Sequence, residues 1–240
     1  MAHAGKPAVG ERRGDLLESG AMAAKIVIAD DHPLFRVALR TAVASAVPGA
    51  QISETMDLAA TLAELEELVE VDVVLLDLHM RDSSGLAGLA AVRTQFPSVA
   101  VLVVSGHEDP AIVRRALDHG ASGYVPKSAP AEDIIAAVRT VLSNQQWVPA
   151  QVAADLARVP SDPADANLAS RLSRLTGQQF RVLGLLAEGR LNKQIADVLD
   201  IQERTVKAHV SAILDKLGVR NRTQASVLLR RLELTQPPSS

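Results

Sequence analysis

The sequence predicts a doubly wound α/β domain, a five-stranded parallel sheet covered by helices, followed by a small all-α domain of four helices. Three observations carry this. From Lys25 to Leu142, short β-branched and aliphatic runs alternate with amphipathic segments, and from about Leu172 onward the periodicity is helical. Apolar residues make up 48% of the 240, but aromatics only 2%, so the cores are built from Ala, Val, Leu and Ile, which suits helices on a parallel sheet. The net charge of -3 hides a split. From Arg171 to the end there are twelve Lys/Arg and six Asp/Glu, a balance of +6, against 13 and 22, or -9, before it. An acidic unit tied to a nucleic-acid-binding one has this signature.

The elements follow in order. Ile26 to Ala29 reads as a strand and Pro33 to Ala46 as a helix; Gln51 to Glu54 is a second strand before a helix near Asp57 to Val69. Val73 to Leu76 is a strand and Ser84 to Gln95 a helix. Val99 to Val104 and Gly123 to Val125 are strands, with helices at Pro110 to His119 and Pro130 to Leu142. Continuous β-branched runs mean strands buried on both faces. Residues 1–23 read as a disordered extension, 24–146 as the α/β domain, 147–170 as a linker, 171–234 as the helical domain and 235–240 as a tail.

Several classes are excluded. The chain has no cysteine, so disulfides, thiolate chemistry and Cys-ligated zinc are out, which agrees with a cytoplasmic setting. No apolar run reaches the roughly 18 residues of a membrane span, and no partnership with a membrane is expected.

In doubly wound folds, ligands sit at the carboxyl ends of the strands. The first predicted strand ends in Asp30-Asp31, the third in Asp77 and the fourth in Ser105, while the fifth runs into Pro126-Lys127. Three carboxylates at one sheet edge repel unless a divalent cation sits among them, and hard oxygen ligands favour Mg²⁺. A carboxylate is also a competent nucleophile toward a phosphoryl group. A lysine and a hydroxyl then serve the phosphoryl oxygens. His32, His79, His107 and His119 lack metal-ligand spacing and read as loop or surface residues.

Over about Lys25 to Leu142 the chain resembles the flavodoxin-like receiver domains of two-component response regulators. The match rests on Asp30-Asp31, Asp77-Leu78-His79-Met80, Ser105-Gly106 and Gly123-Tyr124-Val125-Pro126-Lys127. The resemblance implies Asp77 as phosphoacceptor, with Asp30, Asp31, Asp77 and the backbone carbonyl of His79 around Mg²⁺. It further implies Lys127 as phosphate contact, Ser105 and Tyr124 as a switch pair, and a sensor histidine kinase as phosphodonor. Where the family usually has Pro after the Met matched by Met80, this chain has Arg81, so a differently shaped loop is expected there.

Trp147 to Ser170 carries Pro149, Pro160 and Pro163 among small and acidic residues, a linker composition in which only Val152 to Val159 suggests a short helix. Thr176 then caps a helix bearing Phe180, Val182, Leu183, Leu185 and Leu186, which Gly189 ends. Asn192 to Leu199, Glu203 to Leu217 (stopped by Gly218) and a last helix through about Leu232 complete the unit. In the third of these, Val206, Val210, Ile213, Leu214 and Leu217 form one apolar face. Arg204, Lys207, Ala208, Ser211 and Asp215 lie opposite, a basic and small surface that fits the major groove. Arg190, Lys193, Arg220 and Arg222 flank it as phosphate contacts.

This unit, about Leu172 to Leu232, resembles the LuxR-type helix-turn-helix. The carrying residues are Leu175-Thr176, Leu183 to Gly189, Asn192 to Ala196, Thr205 to Val210 and Lys216 to Thr223. With the receiver, the arrangement is similar to the NarL/FixJ subfamily. The resemblance implies double-stranded DNA as partner and a homodimer on it, with Lys207, Ala208 and Ser211 at base-reading positions. Lys193, Arg204, Thr205, Arg220 and Arg222 complete the contacting set. Gln178-Gln179 stands where many members have Arg-Glu, so a common salt bridge is expected to be missing. The expected function is a transcription factor controlled by phosphorylation of Asp77. One rival is a regulator that uses the receiver only for phosphorylation-independent dimerisation. The enzymatic rival, a phosphohydrolase, needs an acid two residues after the nucleophile, where this chain has His79.

Overall fold

The computed structural model describes residues 23–68 and 70–233. The first half runs β1 (Lys25–Ala29), α1 (Pro33–Ala46), β2 (Gln51–Thr55), α2 (Leu58–Glu67) and β3 (Val73–Asp77). A two-residue ribbon follows, β4 (His79–Met80) paired antiparallel with β5 (Ser83–Ser84). Then come α3 (Ala87–Gln95), β6 (Ala100–Ser105), α4 (Pro110–Asp118), β7 (Gly123–Pro126) and α5 (Ala131–Leu142). Outside the ribbon the strands form one parallel five-stranded sheet in the order β2-β1-β3-β6-β7. The order reverses beside β1 and β3, so the loops leaving those two strands part in opposite directions and leave a crevice at their carboxyl ends.

Strand periodicity builds two cores. Ile26, Ile28, Val73, Leu75, Leu102 and Val104 pack with Leu39 and Val43 of α1 and Ile134 and Val138 of α5. The alternate residues Val27, Val74, Leu76, Val101 and Val103 face Leu89 and Val92 of α3 and Val113 of α4. Each such side chain contributes about 1.5–3 kcal/mol when fully buried.

The second half carries α6 (Ala150–Leu156), α7 (Pro163–Leu172), α8 (Gly177–Ala187), α9 (Asn192–Leu199), α10 (Glu203–Leu217) and α11 (Arg222–Arg230). The first two correct the expectation for 147–170. That stretch is mostly helical, and its Val152, Leu156 and Leu168 are buried against α4 and α3. Pro163 does not break a helix there. It opens one, at a position where the missing N–H costs nothing, behind the Asp162 side chain, which accepts from Ala164 N–H at 2.8 Å. The expected short helix at Val152 to Val159 forms as α6. Of the expected extension and tail, residues 1–22 and 234–240 lie outside the described residues.

The last four helices form around Phe180, Val182, Leu183, Leu186, Ile195, Val206, Ile213, Leu217 and Leu229. Thr176 and Gln179 make a reciprocal capping box at the start of α8. The αL conformation of Gly218 (φ 63°) ends α10, as a residue without Cβ allows at low cost. Asp200 takes the same conformation (φ 50°) to turn the chain between α9 and α10. The α10 face divides as its periodicity predicts: Val206, Ile213 and Leu217 are buried, Val210 and Leu214 half-buried. No helix among the described residues is long and apolar enough to cross a membrane.

Candidate functional site

Three strands deliver the acidic site. Asp30 follows β1 and is fully buried, Asp31 beside it is half-buried, and Asp77 is the last residue of β3. Lys127 directly follows β7 and reaches back across the crevice. Its Nζ lies 2.7 Å from Asp77 Oδ2 and 2.8 Å from Asp30 Oδ2. The Asp77 Oδ1 accepts from His79 N–H at 3.1 Å, and Asp30 Oδ1 from His32 N–H at 2.7 Å. Burial pushes the Asp77 carboxyl above the ordinary carboxylate range, and the adjacent Lys127 ammonium only partly offsets this.

Two acid oxygens are left over. Asp30 Oδ2 faces Lys127 as an ion pair, and Asp31 Oδ1 faces His32 Nδ1 at 2.8 Å. Neither contact has hydrogen-bonding direction, and both oxygens are buried without a hydrogen bond among the described residues. Three carboxylates, two of them with buried oxygens that make no hydrogen bond, fit a hard divalent cation such as Mg²⁺. Asp30, Asp31, His32 and Asp77 bring one ligand atom each within 4.8 Å of one another.

The site opens into a pocket of about 670 Å³ lined by His32, Leu34, Phe35, Asp77, His79, Gly106, His107 and Lys127. The reading of the histidines as loop or surface residues holds for His32, which is exposed, and for His107, which lies in the loop before α4, but their contacts go further than that reading. His32 projects its ring into the acidic cluster, and His79 Nε2 meets His107 Nε2 at 3.3 Å. His119 lies in the turn that closes α4 but not on the surface: its side chain is buried, 4.0 Å from Asp165 of α7. The His79–His107 meeting joins loops 28 residues apart, and only the order of β3 and β6 in the sheet brings it about.

Ser105 closes β6 and is fully buried. Its Oγ accepts from His107 N–H at 3.3 Å. Tyr124 in β7 is also fully buried, and its hydroxyl donates to the His107 carbonyl at 2.7 Å. Burial pushes that hydroxyl up to about 12. Arg81 stands exposed at the tip of the β4–β5 ribbon, so the loop after Asp77 is shaped as a turn of its own. Next to it, Asp82 accepts from Leu58 and Ala59 N–H and holds the start of α2.

In the helical unit, Arg204, Lys207, Ala208 and Ser211 are exposed along one side of α10, and Thr205 is half-buried. Lys207 pairs with Glu203 at 3.0 Å one turn earlier, and Ser211 Oγ donates to the Lys207 carbonyl. Lys193 on α9 and Arg220 before α11 are exposed. Arg222 is half-buried, its guanidinium donating to the Arg190 carbonyl, so part of its hydrogen-bonding capacity braces the turn after α8. In place of the missing salt bridge at Gln179 stands a hydrogen bond from a cation to a neutral amide: Lys216 Nζ donates to Gln179 Oε1 at 2.7 Å.

Comparison with known proteins agrees with both halves. Residues 26–139 match the response regulator receiver domain, and residues 173–229 match the bacterial regulatory proteins of the luxR family. The chain is 38% identical over 218 residues to the glycerol metabolism activator of Pseudomonas putida, covering 88% of this chain and 97% of that one. It is 33% identical over 204 residues to the nitrate/nitrite response regulator protein NarP of Escherichia coli (strain K12), covering 85% and 93%. Among solved structures it is similar to RcsB from Salmonella enterica serovar Typhimurium bound to a promoter with the phosphomimetic BeF₃⁻. There the TM-score is 0.51 at 25% identity, over 87% of this chain and 98% of that one. These relatives are regulators and not enzymes, which removes the phosphohydrolase reading. The chain belongs to the response regulators of NarL/FixJ type, in which a receiver domain is followed by a LuxR-type DNA-binding domain.

Proposed function

We propose that this regulator is switched by transfer of a phosphoryl group to Asp77, which controls its dimerisation and its binding to double-stranded DNA. The observation that carries this is the Asp77 carboxylate at the end of β3, paired by Lys127 at 2.7 Å and flanked by the two unsatisfied oxygens of Asp30 and Asp31. Asp30, Asp31, Asp77 and the His79 carbonyl would hold Mg²⁺, which when bound neutralises charge on the acids and the incoming phosphate. An oxygen of Asp77 attacks phosphorus, a P–O bond forms, and the bond to the donor breaks. The donor leaves as the imidazole of a sensor histidine kinase, or as acetate from acetyl phosphate. Lys127 Nζ then pairs with phosphoryl oxygens in place of the carboxylate.

Ser105 and Tyr124 supply the readout. Both hold His107, through its N–H and its carbonyl respectively. When the Ser105 hydroxyl turns to donate to a phosphoryl oxygen, His107 loses an acceptor, and the segment leading into α4 repacks around Tyr124. Dimerisation then sets two α10 helices into successive major-groove half-sites, with Lys207, Ala208 and Ser211 at base edges. Lys193, Arg204, Thr205, Arg220 and Arg222 contact the backbone. We place this activity in the cytoplasm.

The test uses full-length chain, acetyl phosphate with Mg²⁺, and a duplex selected by the treated protein from a random-sequence library. The treated chain is expected to gain the mass of one phosphoryl group and to bind the duplex more tightly, and Asp77→Asn to lose both effects. Equal affinity with and without phosphodonor overturns the switch and leaves the receiver as a dimerisation platform only.

A further inference from the structure

The loops after β3 and β6 each bring one imidazole to the same place. His79 Nε2 lies 3.3 Å from His107 Nε2, with the ring centroids 4.7 Å apart and the planes at 51°. Two neutral rings cannot both present lone pairs at that distance. Either one Nε2 carries a proton that the other accepts, or a cation stands between them. A tetrahedral ion with imidazole nitrogens at about 2.0–2.1 Å holds them about 3.3 Å apart, so the pair already has the bite of such a site.

Both ligands are held from behind. His79 belongs to the β4–β5 ribbon, where it pairs with Ser84, and its N–H donates to Asp77 Oδ1. His107 is fixed through its N–H by Ser105 and through its carbonyl by Tyr124. Both residues are half-buried and line the pocket of about 670 Å³, so water reaches the remaining coordination positions. Asp30, Asp31 and Asp77 outweigh Lys127 there, an excess of negative charge that draws cations. A hard ion such as Mg²⁺ takes the carboxylates, whereas a borderline ion such as Zn²⁺ takes neutral imidazole.

We propose that His79 and His107 form a second metal site, for a zinc-class transition ion, which staples the loop after β3 to the segment leading into α4. On binding, the ring that carried Nε2–H shifts its proton to Nδ1 through solvent, and both rings stay neutral. The ion then holds His107 where Ser105 and Tyr124 hold it, and so opposes the repacking that follows phosphoryl transfer. That consequence rests on the reading of Asp77 above; the site itself does not.

Full-length chain saturated with Mg²⁺ is titrated with Zn²⁺ by calorimetry. One equivalent is expected to bind, and His79→Gln and His107→Gln are each expected to weaken it about tenfold or more, while His32→Gln keeps it. Zinc-edge X-ray absorption on wild type is expected to show two imidazole ligands, a readout that needs no variant to fold. Absent binding, fewer than two imidazoles, or loss with His32→Gln in place of the other two overturns the site. With the metal bound, the gain in duplex affinity from acetyl phosphate is expected to fall about fivefold or more in wild type and not in His79→Gln. No fall in wild type, or an equal fall in both, overturns the opposing role. A wild type that gains no affinity from acetyl phosphate before Zn²⁺ is added sinks the Asp77 reading instead, and calorimetry still decides the site.

Discussion

Ser105 and Tyr124 grip one residue between them: the serine hydroxyl accepts from His107 N–H at 3.3 Å, and the tyrosine hydroxyl donates to His107 O at 2.7 Å. With its hydroxyl pushed up to about 12, Tyr124 stays a donor throughout the range in which the protein works. Tyr124→Phe deletes that donor and keeps the ring. Equilibrium urea unfolding should show a loss of about 1 kcal/mol, the net value of one hydrogen bond. Stability equal to wild type would mean that water replaces the phenol without cost.

Asp77 makes a prediction with a definite sign. Its folded carboxyl lies above the ordinary value of 3.8, chiefly through burial. The unfolded chain therefore releases this proton first, and Asp77 lowers stability as pH rises from about the unfolded value through the raised one. Asp77→Asn should raise Tm at pH 7, with Asp30 still pairing Lys127, and the gain should shrink as pH falls through the carboxylate range. A gain in Tm that does not depend on pH would assign it to something other than the charge.

Gln179 is 8% exposed, sits in the first turn of α8 and accepts from Lys216. Gln179→Glu keeps the capping box, adds a negative charge at a helix N-terminus and turns the Lys216 contact into an ion pair. Thermal or urea denaturation should register a gain of about 0.5–2 kcal/mol. A destabilised variant would show that desolvation of the new carboxylate outweighs its pairing.

On α10, Lys207→Ala should weaken the selected duplex and lower the dependence of log affinity on log salt by about one charge if the lysine meets a phosphate. If it reads a base edge, affinity should fall by about 1–3 kcal/mol with relaxed specificity at one position. Ala208→Glu, also exposed, should abolish binding by setting a carboxylate against the groove. Fluorescence anisotropy across a salt series separates these outcomes, and unchanged binding in both variants would take this face of α10 out of the interface.

Legibility followed locality. Val73 to Asp77 announces a buried strand because every residue in it is apolar up to the terminal acid, and α10 announces its orientation through Val206, Ile213 and Leu217. Asp30, Asp77 and Lys127 were readable as one site because the wound topology always gathers strand ends. Pro163 misled, since a proline that opens a helix and one that breaks it look alike until its N-terminal neighbours are seen to cap it. The contacts of the histidines were hidden for another reason. His79 and His107, or His119 and Asp165, have no periodic relation along the chain, and only packing defines their distances.

By itself the amino-acid order determined two folds, an acidic strand-end cluster and a basic helix face, because hydrophobic period and strand-end position are properties of short segments. Tertiary structure alone decided that 147–170 is packed and not loose, that His107 joins Ser105 to Tyr124, and that Arg115 of α4 closes on Asp165 of α7. Apart from the local bond between Ser105 and His107, those are contacts between segments far apart in sequence. Their energies depend on desolvation and direction, which no local pattern encodes.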